Sequence, residues 1–511
     1  MSQTRKRIRS SATDSLVIGI DVGTSSVKTL VMDASGAIVA SASASYPLLT
    51  PAPGWVEQHP EDWWTAVCTT TRSVIHQLEQ RTPKRTAGEI AGVALSGQMN
   101  GVVFIDAQGV PLRDAMLWLD GRSQKECDAA NEKAGDILRS RAFHVLNPIN
   151  TLAKMLWVRS HERDVYRQSH KALIPKDWVN YRLTGVIASE VSDDSVTGAL
   201  DLYTRQWSGE ILDRLDVRTD LFPPVYESTD VVGALTRAAA EATGLATGTP
   251  VCGGGGDMAC MAVGSGAIRP GVVGVGIGTA GHAITYADTI SDAAFNQLWP
   301  MCHGVPGAYF WLGCSYTGGA SLTWMSEQFG ESFDRLTEQA KTAPAGCEDL
   351  FFLPWLAGTA TPHPDALARG GWIGLTLRHT KGHLIRSLME GVAFDLRQSF
   401  ECFKQLNLPM EDLRLGEGGV KSSLWRQILV DVFGQDGRLM ELGEASAIGA
   451  TLIAGVGVGL FDTFEVACDR SIKLGSAVQH DDAQTDLYER QFQRYQTLYP
   501  TLKPWFHQRG P

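Results

Sequence analysis

The chain has 511 residues, of which 44% are hydrophobic, and its formal net charge is −11 at pH 7. This length and apolar content predict two domains with large cores. The acidic balance argues against nucleic acid or an anionic membrane surface as the main partner. A small anionic ligand is still compatible with this charge, because a binding site for it is local.

Nine scattered cysteines, with no Cys-x-x-Cys pair, indicate a reducing cytoplasm and not a disulfide framework or a zinc site. No apolar run approaches the roughly 18 residues of a transmembrane helix. Residues 1–14 are basic, and the apolar core of a signal peptide does not follow them. We predict a flexible tail there, with a weak organellar signal as the alternative.

The first predicted element is a strand over residues 16–20, which leads into Asp21 and a Gly-Thr-Ser-Ser turn. Gly23 lets the backbone approach a ligand closely, and consecutive N–H groups with hydroxyls can cradle phosphate oxygens. Asp21, at the strand end, is placed to hold Mg²⁺, usually through water. Strands at 27–32 and 37–44 would follow. A β-hairpin loop with a polar tip is the alternative interpretation.

Further along the first half, Pro60 with two acidic residues after it predicts the start of a helix. A strand over residues 90–95 ends in Ser-Gly-Gln-Met-Asn-Gly, and a Leu-Trp-Leu-Asp-Gly-Arg segment follows at 117–122. Polar and aromatic side chains at strand ends beside glycines are candidate ligand contacts, because strand ends point into clefts. Each of them taken alone is also compatible with a structural role.

Four glycines at residues 253–256 run into Asp257, and a segment of small and apolar residues follows. This pattern places Asp257 at or near the N-terminus of a helix. There it would stay ionised. The carboxylate could cap that helix or take part in chemistry.

The second half repeats the opening pattern about half a chain length later. Residues 272–277 form an apolar run, Gly278 and Thr279 begin a turn, and residues 282–286 again favour a strand. Two related halves, each with a phosphate turn at a shared cleft, resemble the actin-like ATPase superfamily. Residues 276–281 also fit a Gly-x-Gly-x-x-Gly dinucleotide fingerprint, but a strand and not a helix is predicted to follow. The chain has no Gly-x-x-x-x-Gly-Lys-Ser/Thr motif, which excludes a P-loop kinase.

The order and spacing of three motifs narrow this resemblance. Asp-x-Gly-Thr-Ser at 21–25, Gly-Gln-Met at 97–99 and Leu-Trp-x-Asp-Gly-Arg at 117–122 resemble the FGGY carbohydrate kinases, and within them the xylulokinase group. The resemblance extends from about residue 16 to about residue 455.

The fold implied by the resemblance is an α/β protein with two ribonuclease-H-like (actin-like ATPase) domains and an interdomain cleft. Residues 15–250 would form the N-terminal sugar-binding domain, and residues 251–511 the C-terminal nucleotide-binding domain. A closing helix at 481–498 would be able to pack back on the first domain. Since relatives are commonly dimers, a homodimer is expected.

The resemblance also implies an activity, the transfer of the γ-phosphate of MgATP to a hydroxyl of a small sugar, most simply a ketopentose such as D-xylulose. Asp257 would be the catalytic base, and Asp21 would hold Mg²⁺. The implied ATP contacts are Gly23, Thr24, Ser25, Lys28, Gly278, Thr279, Gly319, Gly418, Gly419 and Ser423. The implied sugar contacts are Gln98, Met99, Asn100, Trp118, Asp257 and Met258. The Gly418–Gly419 pair would lie flat against adenine, with an ordinary turn as the alternative.

Three positions depart from the pattern of relatives that act on xylulose. Asn100, Leu119 and Met258 stand where those relatives usually have His, Asn and Asn. An apolar wall tolerates fewer sugar hydroxyls, so another pentulose, a polyol or a deoxy sugar is an alternative substrate.

Other functional classes are also compatible with the sequence. They are a chaperone-like or filament-forming ATPase, a catalytically silent sugar- or ATP-sensing protein and, on the single glycine fingerprint, a nicotinamide oxidoreductase.

Overall fold

The computed structural model describes residues 15–441 and 444–508, and these residues form two compact units. The first unit contains the described residues up to Ile268 together with Met301–Phe310 and Glu444–Ile472. The remaining described residues form the second unit. The first unit therefore contains segments that lie after the predicted division at residue 250. The predicted basic tail, residues 1–14, lies outside the described residues.

The first unit is built on a seven-stranded mixed sheet. Its strand order is Val231–Ala234, Pro250–Cys252, Ile90–Gly97, Leu16–Val22, Ser26–Asp33 and Ile38–Ser45, with Gly255–Gly256 also paired to Ile90–Gly97. The three predicted opening strands are confirmed. In the register, Asp21 lies opposite Ser96 on one side and Lys28 on the other, so the end of the central strand brings these side chains together.

The central strand Leu16–Val22 is covered on both faces, which explains its continuous apolar sequence. Leu16, Ile18 and Ile20 lie in one core with side chains of helix Pro60–Glu79, which begins at the predicted Pro60. On the other face, a Cβ atom at Gly19 would lie 2.5 Å from the carbonyl oxygen of Ala447.

The remaining elements of the first unit surround this sheet. The other helices are Gln124–Ile137, Thr151–His161, Arg163–Gln168, Pro175–Thr184, Val191–Asp194, Gly209–Arg214, Arg237–Thr243, Asp257–Gly264, Ala445–Gly457 and Phe464–Ser471. The short strands are Glu57–Gln58, Val103–Ile105, Ala115–Met116, Lys171–Leu173, Ser189–Glu190, Leu200–Asp201, Gln206–Trp207 and Val225–Tyr226.

A second seven-stranded sheet runs through the later part of the chain. Its strand order is Trp299–Cys302, Tyr309–Ser315, Gly281–Ala287, Gly271–Ile277, Met410–Gly416, Gly437–Met440 and Leu474–Val478. Strand Gly271–Ile277 pairs antiparallel with Gly281–Ala287 and parallel with Met410–Gly416. This arrangement is the same as that of the opening strands of the first unit, and it confirms the predicted repeat.

The helices of the second unit cover its sheet. They are Gly318–Phe329, Phe333–Ala340, Lys381–Gln405, Ser423–Phe433, Asp482–Tyr495 and Leu498–Phe506, and the small strands Phe351–Leu353 and Gly371–Ile373 form a separate pair. Within the described residues, no helix is both long and apolar enough to cross a bilayer.

The closing segment, predicted as one helix over 481–498, consists of two helices, and its buried side chains lie in the core of the second unit. The Tyr495 hydroxyl lies 3.2 Å from Oδ1 of Asp395, which also accepts a hydrogen bond from Trp355 Nε1 at 3.1 Å. The fully buried Asp395 therefore joins the central helix Lys381–Gln405 to the end of the chain.

We predict that the stability of the protein depends on the protonation of Asp395. Burial raises the pKa of Asp395 to about 6, although hydrogen bonds from Trp355 and Tyr495 oppose the shift. The folded state then holds a proton more tightly than the unfolded chain, whose Asp pKa is about 3.9. The resulting stabilisation is complete below pH about 4 and is lost as the pH rises to about 6.

The Asp395→Asn variant removes this titration. Relative to the wild type, its free energy of unfolding should rise by up to about 3 kcal/mol between pH 4 and pH 7 in urea titrations. The exposed Asp486, changed to Asn, is the control that should show no such trend. A difference between wild type and Asp395→Asn that does not change with pH would contradict the prediction.

Two helices of the first unit touch through their backbones. A Cβ atom at Gly449, in Ala445–Gly457, would lie 1.8 Å from the carbonyl oxygen of Cys260. A Cβ atom at Gly264, in Asp257–Gly264, would lie 1.9 Å from the carbonyl oxygen of Ala445. Glycine at both positions is therefore what permits this contact.

The Gly449→Ala substitution should force the two helices apart and cost about 1–3 kcal/mol of stability, the usual range for overpacking a core. The thermal midpoint of unfolding measures this loss. Gly209→Ala is the matched control, because nothing lies within 4 Å of a Cβ atom there. Equal midpoints for the two variants would contradict the expected clash.

Candidate active site

The first turn, residues 23–26, follows the central strand and is fixed by side chains from other segments. The Gly23 N–H donates to the Ser26 carbonyl at 3.0 Å. The Thr24 carbonyl accepts from Gln58 Nε2 at 2.7 Å, and the Thr24 hydroxyl accepts from Trp118 Nε1 at 3.0 Å. The turn is thus held in one shape before any ligand binds. Ser25, the remaining predicted contact in this turn, is exposed.

Asp21 carries a buried oxygen with no protein partner. Its Oδ1 atom has no hydrogen bond to any described residue. Burial raises the pKa of Asp21, and the Ser96 hydroxyl and the charge of Lys28 oppose that shift. A bound cation would satisfy the oxygen and favour its ionised form.

The surroundings of Asp21 are suitable for Mg²⁺. The described residues contain no cluster of three or more His, Cys, Asp or Glu that could hold a metal. Mg²⁺ usually keeps several waters and binds through one or two carboxylates and substrate phosphates, so a single carboxylate beside the predicted phosphate turn is compatible with the predicted site.

Lys28, a predicted phosphate contact, forms an ion pair with Glu444. Both side chains are about one-third exposed, at 33% and 36%. Sequence reasoning assigned no role to Glu444, because 416 residues separate the two partners. A phosphate that binds Lys28 would have to share it with this carboxylate.

The predicted sugar contacts Gln98 and Asn100 follow strand Ile90–Gly97. The Gln98 side-chain amide donates to Gln58 Oε1 at 2.9 Å, while its own Oε1 is buried. Asn100 has φ of 65°, in the left-handed region, and its Oδ1 is also buried. Neither oxygen has a hydrogen-bond partner among the described residues. Each oxygen therefore retains an unused hydrogen-bond acceptor site.

The side chain of Met99 brings this strand end to the segment before Asp257. A Cβ atom at Gly256 would lie 2.7 Å from Met99 Cε. Of the later segment at 117–122, Trp118 and Leu119 are 37% and 43% exposed. The structure thus places Met99 against Gly256, the residue before Asp257, and Trp118 against Thr24 of the first turn.

Asp257 is the first residue of helix Asp257–Gly264, and Gly256 occupies the capping position. Gly256, and not Asp257, is therefore the N-cap residue of this helix. The Asp257 carbonyl accepts from the Ser446 hydroxyl at 3.2 Å, which ties the helix start to the neighbouring helix. Met258, the next residue, is half-buried.

In the second unit, the second turn, residues 278–280, meets the start of helix Gly318–Phe329. The Gly319 N–H donates to the Gly278 carbonyl at 2.8 Å, and the Ala320 N–H donates to the Thr279 carbonyl at 3.0 Å. A Cβ atom at Gly319 would lie only 2.2 Å from the Gly278 carbonyl oxygen. The structure therefore brings together three of the predicted nucleotide contacts, Gly278, Thr279 and Gly319.

The Gly418–Gly419 pair has two different explanations. Gly418 is exposed, and nothing lies within 4 Å of a Cβ atom there, which leaves space for a flat ligand. A Cβ atom at Gly419 would lie 2.7 Å from Ile277 Cβ, so packing explains this glycine. Ser423 is exposed and begins helix Ser423–Phe433, whose capping residue is Ser422.

Glu417 lies beside the second turn and was not predicted. Its φ is 69°, unusual for a residue with a side chain, and its Oε2 atom is buried. A Cβ atom at Gly278 would lie 2.9 Å from this oxygen, and His282 Nε2 lies 3.7 Å from Glu417 Oε1. A carboxylate therefore faces each of the predicted phosphate turns, Asp21 in the first unit and Glu417 in the second.

The comparison with known families decides between the interpretations of these two units. The model of the FGGY family of carbohydrate kinases, N-terminal domain, matches residues 16–264, and that of its C-terminal domain matches residues 287–458. The chain belongs to the FGGY family of carbohydrate kinases. As an FGGY kinase it is an ATP-dependent sugar kinase, which confirms the predicted family, fold class and enzyme class.

Individual relatives cover nearly the whole chain. The xylulose kinase of Bacillus subtilis is 34% identical over 491 residues, which are 95% of this chain and 97% of that protein. The xylulose kinase of Escherichia coli is 33% identical over 86% of this chain and 89% of that protein. The crystal structure of a xyloylose kinase from Brucella ovis superposes with a TM-score of 0.88 at 29% identity, covering 96% of this chain and 100% of that one.

The dinucleotide interpretation of residues 276–281 is not supported by the FGGY fold. Strand Gly281–Ala287 follows these glycines, as predicted, whereas pyrophosphate binding by this fingerprint requires a helix there.

Proposed function

We propose that this FGGY kinase transfers the γ-phosphate of MgATP to a hydroxyl of a small ketopentose, with D-xylulose as the first candidate. The observation that carries the proposal is the 34% identity to a xylulose kinase over 95% of the chain. The free amide oxygens of Gln98 and Asn100 support it, because a sugar offers several hydroxyl donors to such acceptors.

In this proposal Asp257 is the general base. It takes the proton from the sugar hydroxyl as that oxygen bonds to the γ-phosphorus and the bond from that phosphorus to the β,γ-bridging oxygen breaks, which releases ADP. An ionised Asp at a helix N-terminus is a weak base, but phosphoryl transfer depends mainly on positioning and charge neutralisation. Asp21 would hold Mg²⁺ through water, and the bound ion would neutralise phosphate charge.

The glycine turns would receive the phosphates. Backbone N–H groups of Gly23 and Gly278, with the hydroxyls of Thr24, Ser25 and Thr279, supply donors for phosphate oxygens. Lys28 would add a positive charge while it is still paired with Glu444. Gly319, Gly418, Gly419 and Ser423 would line the nucleotide, and the open space above Gly418 suits adenine.

The sugar itself is the finer part of the proposal. Gln98, Met99, Asn100, Trp118 and Met258 would line the sugar together with Asp257. Leu119 and Met258 present no hydrogen-bonding group comparable to an amide, so a sugar with fewer hydroxyls to satisfy would lose less there. Another pentulose, a polyol or a deoxy sugar is therefore the second candidate, favoured by these two positions and by Asn100.

The cytoplasm is the proposed location, supported by the nine cysteines, all of which are free thiols in the structure. We also propose a homodimer, which dynamic light scattering or analytical ultracentrifugation can test.

A substrate panel tests the proposal first. ADP release with MgATP would be measured for both xyluloses, both ribuloses, glycerol, four-carbon polyols and deoxy sugars. We expect the strongest response with D-xylulose. A strong response to another member would assign the second candidate, and ATP binding without any sugar-dependent turnover would contradict a kinase of this class of sugar.

Substitution of the base is the second test. Asp257→Ala should lower kcat at least about a hundredfold, on the scale of general-base effects, while the thermal midpoint stays close to that of the wild type. The exposed Asp462, changed to Ala, is the control with an unchanged kcat. Activity retained by Asp257→Ala would place the base elsewhere.

A further inference from the structure

The position of the Asp257 carboxylate depends on the glycine segment, residues 253–256, that leads into its helix. Gly255 and Gly256 pair with Ser96 and Gly97, the last two residues of strand Ile90–Gly97. Glycines have no side chains that could fix this segment by packing, so its place depends on hydrogen bonds to its backbone.

The Gly253 and Gly254 N–H groups donate to the Asp230 and Ser228 carbonyls, and side chains from a separate part of the chain provide further hydrogen bonds. The Gly256 N–H donates to Ser192 Oγ at 3.2 Å. At the other end of the segment, the Gly253 carbonyl accepts from Asn180 Nδ2 at 3.2 Å and lies 3.4 Å from Lys176 Nζ. The Ser192 contact is the one made to the residue immediately before Asp257.

Ser192 is itself held rigidly. It is fully buried, and its hydroxyl donates to Glu190 Oε1 at 2.8 Å, while its backbone N–H donates to Glu190 Oε2 at 2.8 Å. Since its proton is used by Glu190, the Ser192 oxygen can act only as an acceptor toward Gly256. The hydroxyl therefore has a single orientation.

Glu190 is fixed in turn by buried groups around it. The Ser228 hydroxyl donates to Glu190 Oε2 at 3.0 Å, and the Asp193 N–H donates to Oε1 at 2.8 Å. The ammonium of Lys176 lies 3.7 Å from Oε1. All four side chains are completely buried, so this cluster can anchor Ser192 without competition from water.

The same cluster is electrostatically linked to Asp257. The buried ammonium of Lys176 lies 2.5, 3.7 and 3.8 Å from carboxylate oxygens of Asp177, Glu190 and Asp193, which are also buried. Burial raises the pKa of Asp193 well above its ordinary value, and the charge of Asp257 is one of the groups that raise it further. The cluster is therefore near enough to Asp257 for their charges to interact.

We propose that Ser192 is a positioning residue for Asp257, because its hydroxyl fixes the Gly256 amide and so the start of helix Asp257–Gly264. This inference rests on the proposed role of Asp257 as the base. A displacement of about 1 Å from a reacting group can cost on the order of a hundredfold in rate. The loss of Ser192 Oγ should thus affect turnover more than substrate binding.

Ser192→Ala and Ser228→Ala form a matched pair. Both serines are fully buried and each donates one hydroxyl hydrogen bond to Glu190, but only the Ser192 side chain contacts the glycine segment. The Ser228 carbonyl, which accepts from Gly254, is unchanged by substitution.

We expect Ser192→Ala to lower kcat at least about tenfold with KM for the sugar within about twofold. Because Glu190 Oε1 keeps its bonds from the Ser192 hydroxyl and the Asp193 N–H, Ser228→Ala should keep kcat within about twofold and show a similar drop in thermal midpoint.

Equal losses of kcat in the two alanine variants would overturn the proposal, since they would reflect a general disturbance of the cluster. If Ser192→Ala does not fold, Ser192→Cys retains the volume and replaces the oxygen by a weak sulfur acceptor. It should also lower kcat, and full activity of this variant would overturn the proposal.

The double variant separates the inference from the proposed function. In the Asp257→Ala background, Ser192→Ala should cause no further loss of kcat, because a residue that acts through Asp257 has nothing left to position. A further tenfold loss would overturn the inference. Full activity of Asp257→Ala would overturn the base assignment, whereas full activity of Ser192→Ala beside an inactive Asp257→Ala would overturn the positioning role alone.

Discussion

The fold of the first unit depends on the burial of strand Leu16–Val22 on both of its faces. Every apolar side chain of this strand is fully buried, and the helix Ala445–Gly457 comes close enough to touch the strand backbone at Gly19. This close cover removes water from the strand and leaves Asp21 near its end, where the chain turns. The polar chemistry of the unit is thereby placed at the margin of its driest region, where an unsatisfied carboxylate oxygen interacts most strongly with a cation.

The candidate site is held by neutral hydrogen bonds as much as by charges. Gln58 accepts from Trp63 and from Gln98 and donates to Thr24, so one buried amide joins the first turn to the predicted sugar contact Gln98. Ser192 has a comparable place beside Asp257. Such groups keep their hydrogen-bonding geometry across a wide range of pH, because neither an amide nor an aliphatic hydroxyl gains or loses a proton in that range. The predicted ligand contacts are therefore held directly by groups that do not titrate, although Ser192 is anchored in turn by the Glu190 carboxylate.

Much of this arrangement could be predicted from the sequence, and the parts that could be are local. The continuous apolar run that begins at Leu16 and the two acids that follow Pro60 identify their elements from neighbouring residues alone. The glycines before Asp257 likewise predict a helix start within one residue. The supporting contacts are different, since Gln58 and Gln98 are 40 residues apart and Ser192 and Gly256 are 64 apart. No spacing rule connects such pairs. The left-handed backbone of Glu417 and its approach to the second turn also arise only from tertiary structure.

The first unit is assembled from chain segments that are far apart in sequence, and this has a consequence for how the protein is made. When residue 268 has left the ribosome, the sheet of the first unit is complete, but the helix Ala445–Gly457 that covers its second face has not been synthesised. The nascent chain must therefore expose one apolar face of that sheet until nearly the whole protein has been translated. Such long-range closure slows folding and favours binding of the exposed face by chaperones during synthesis.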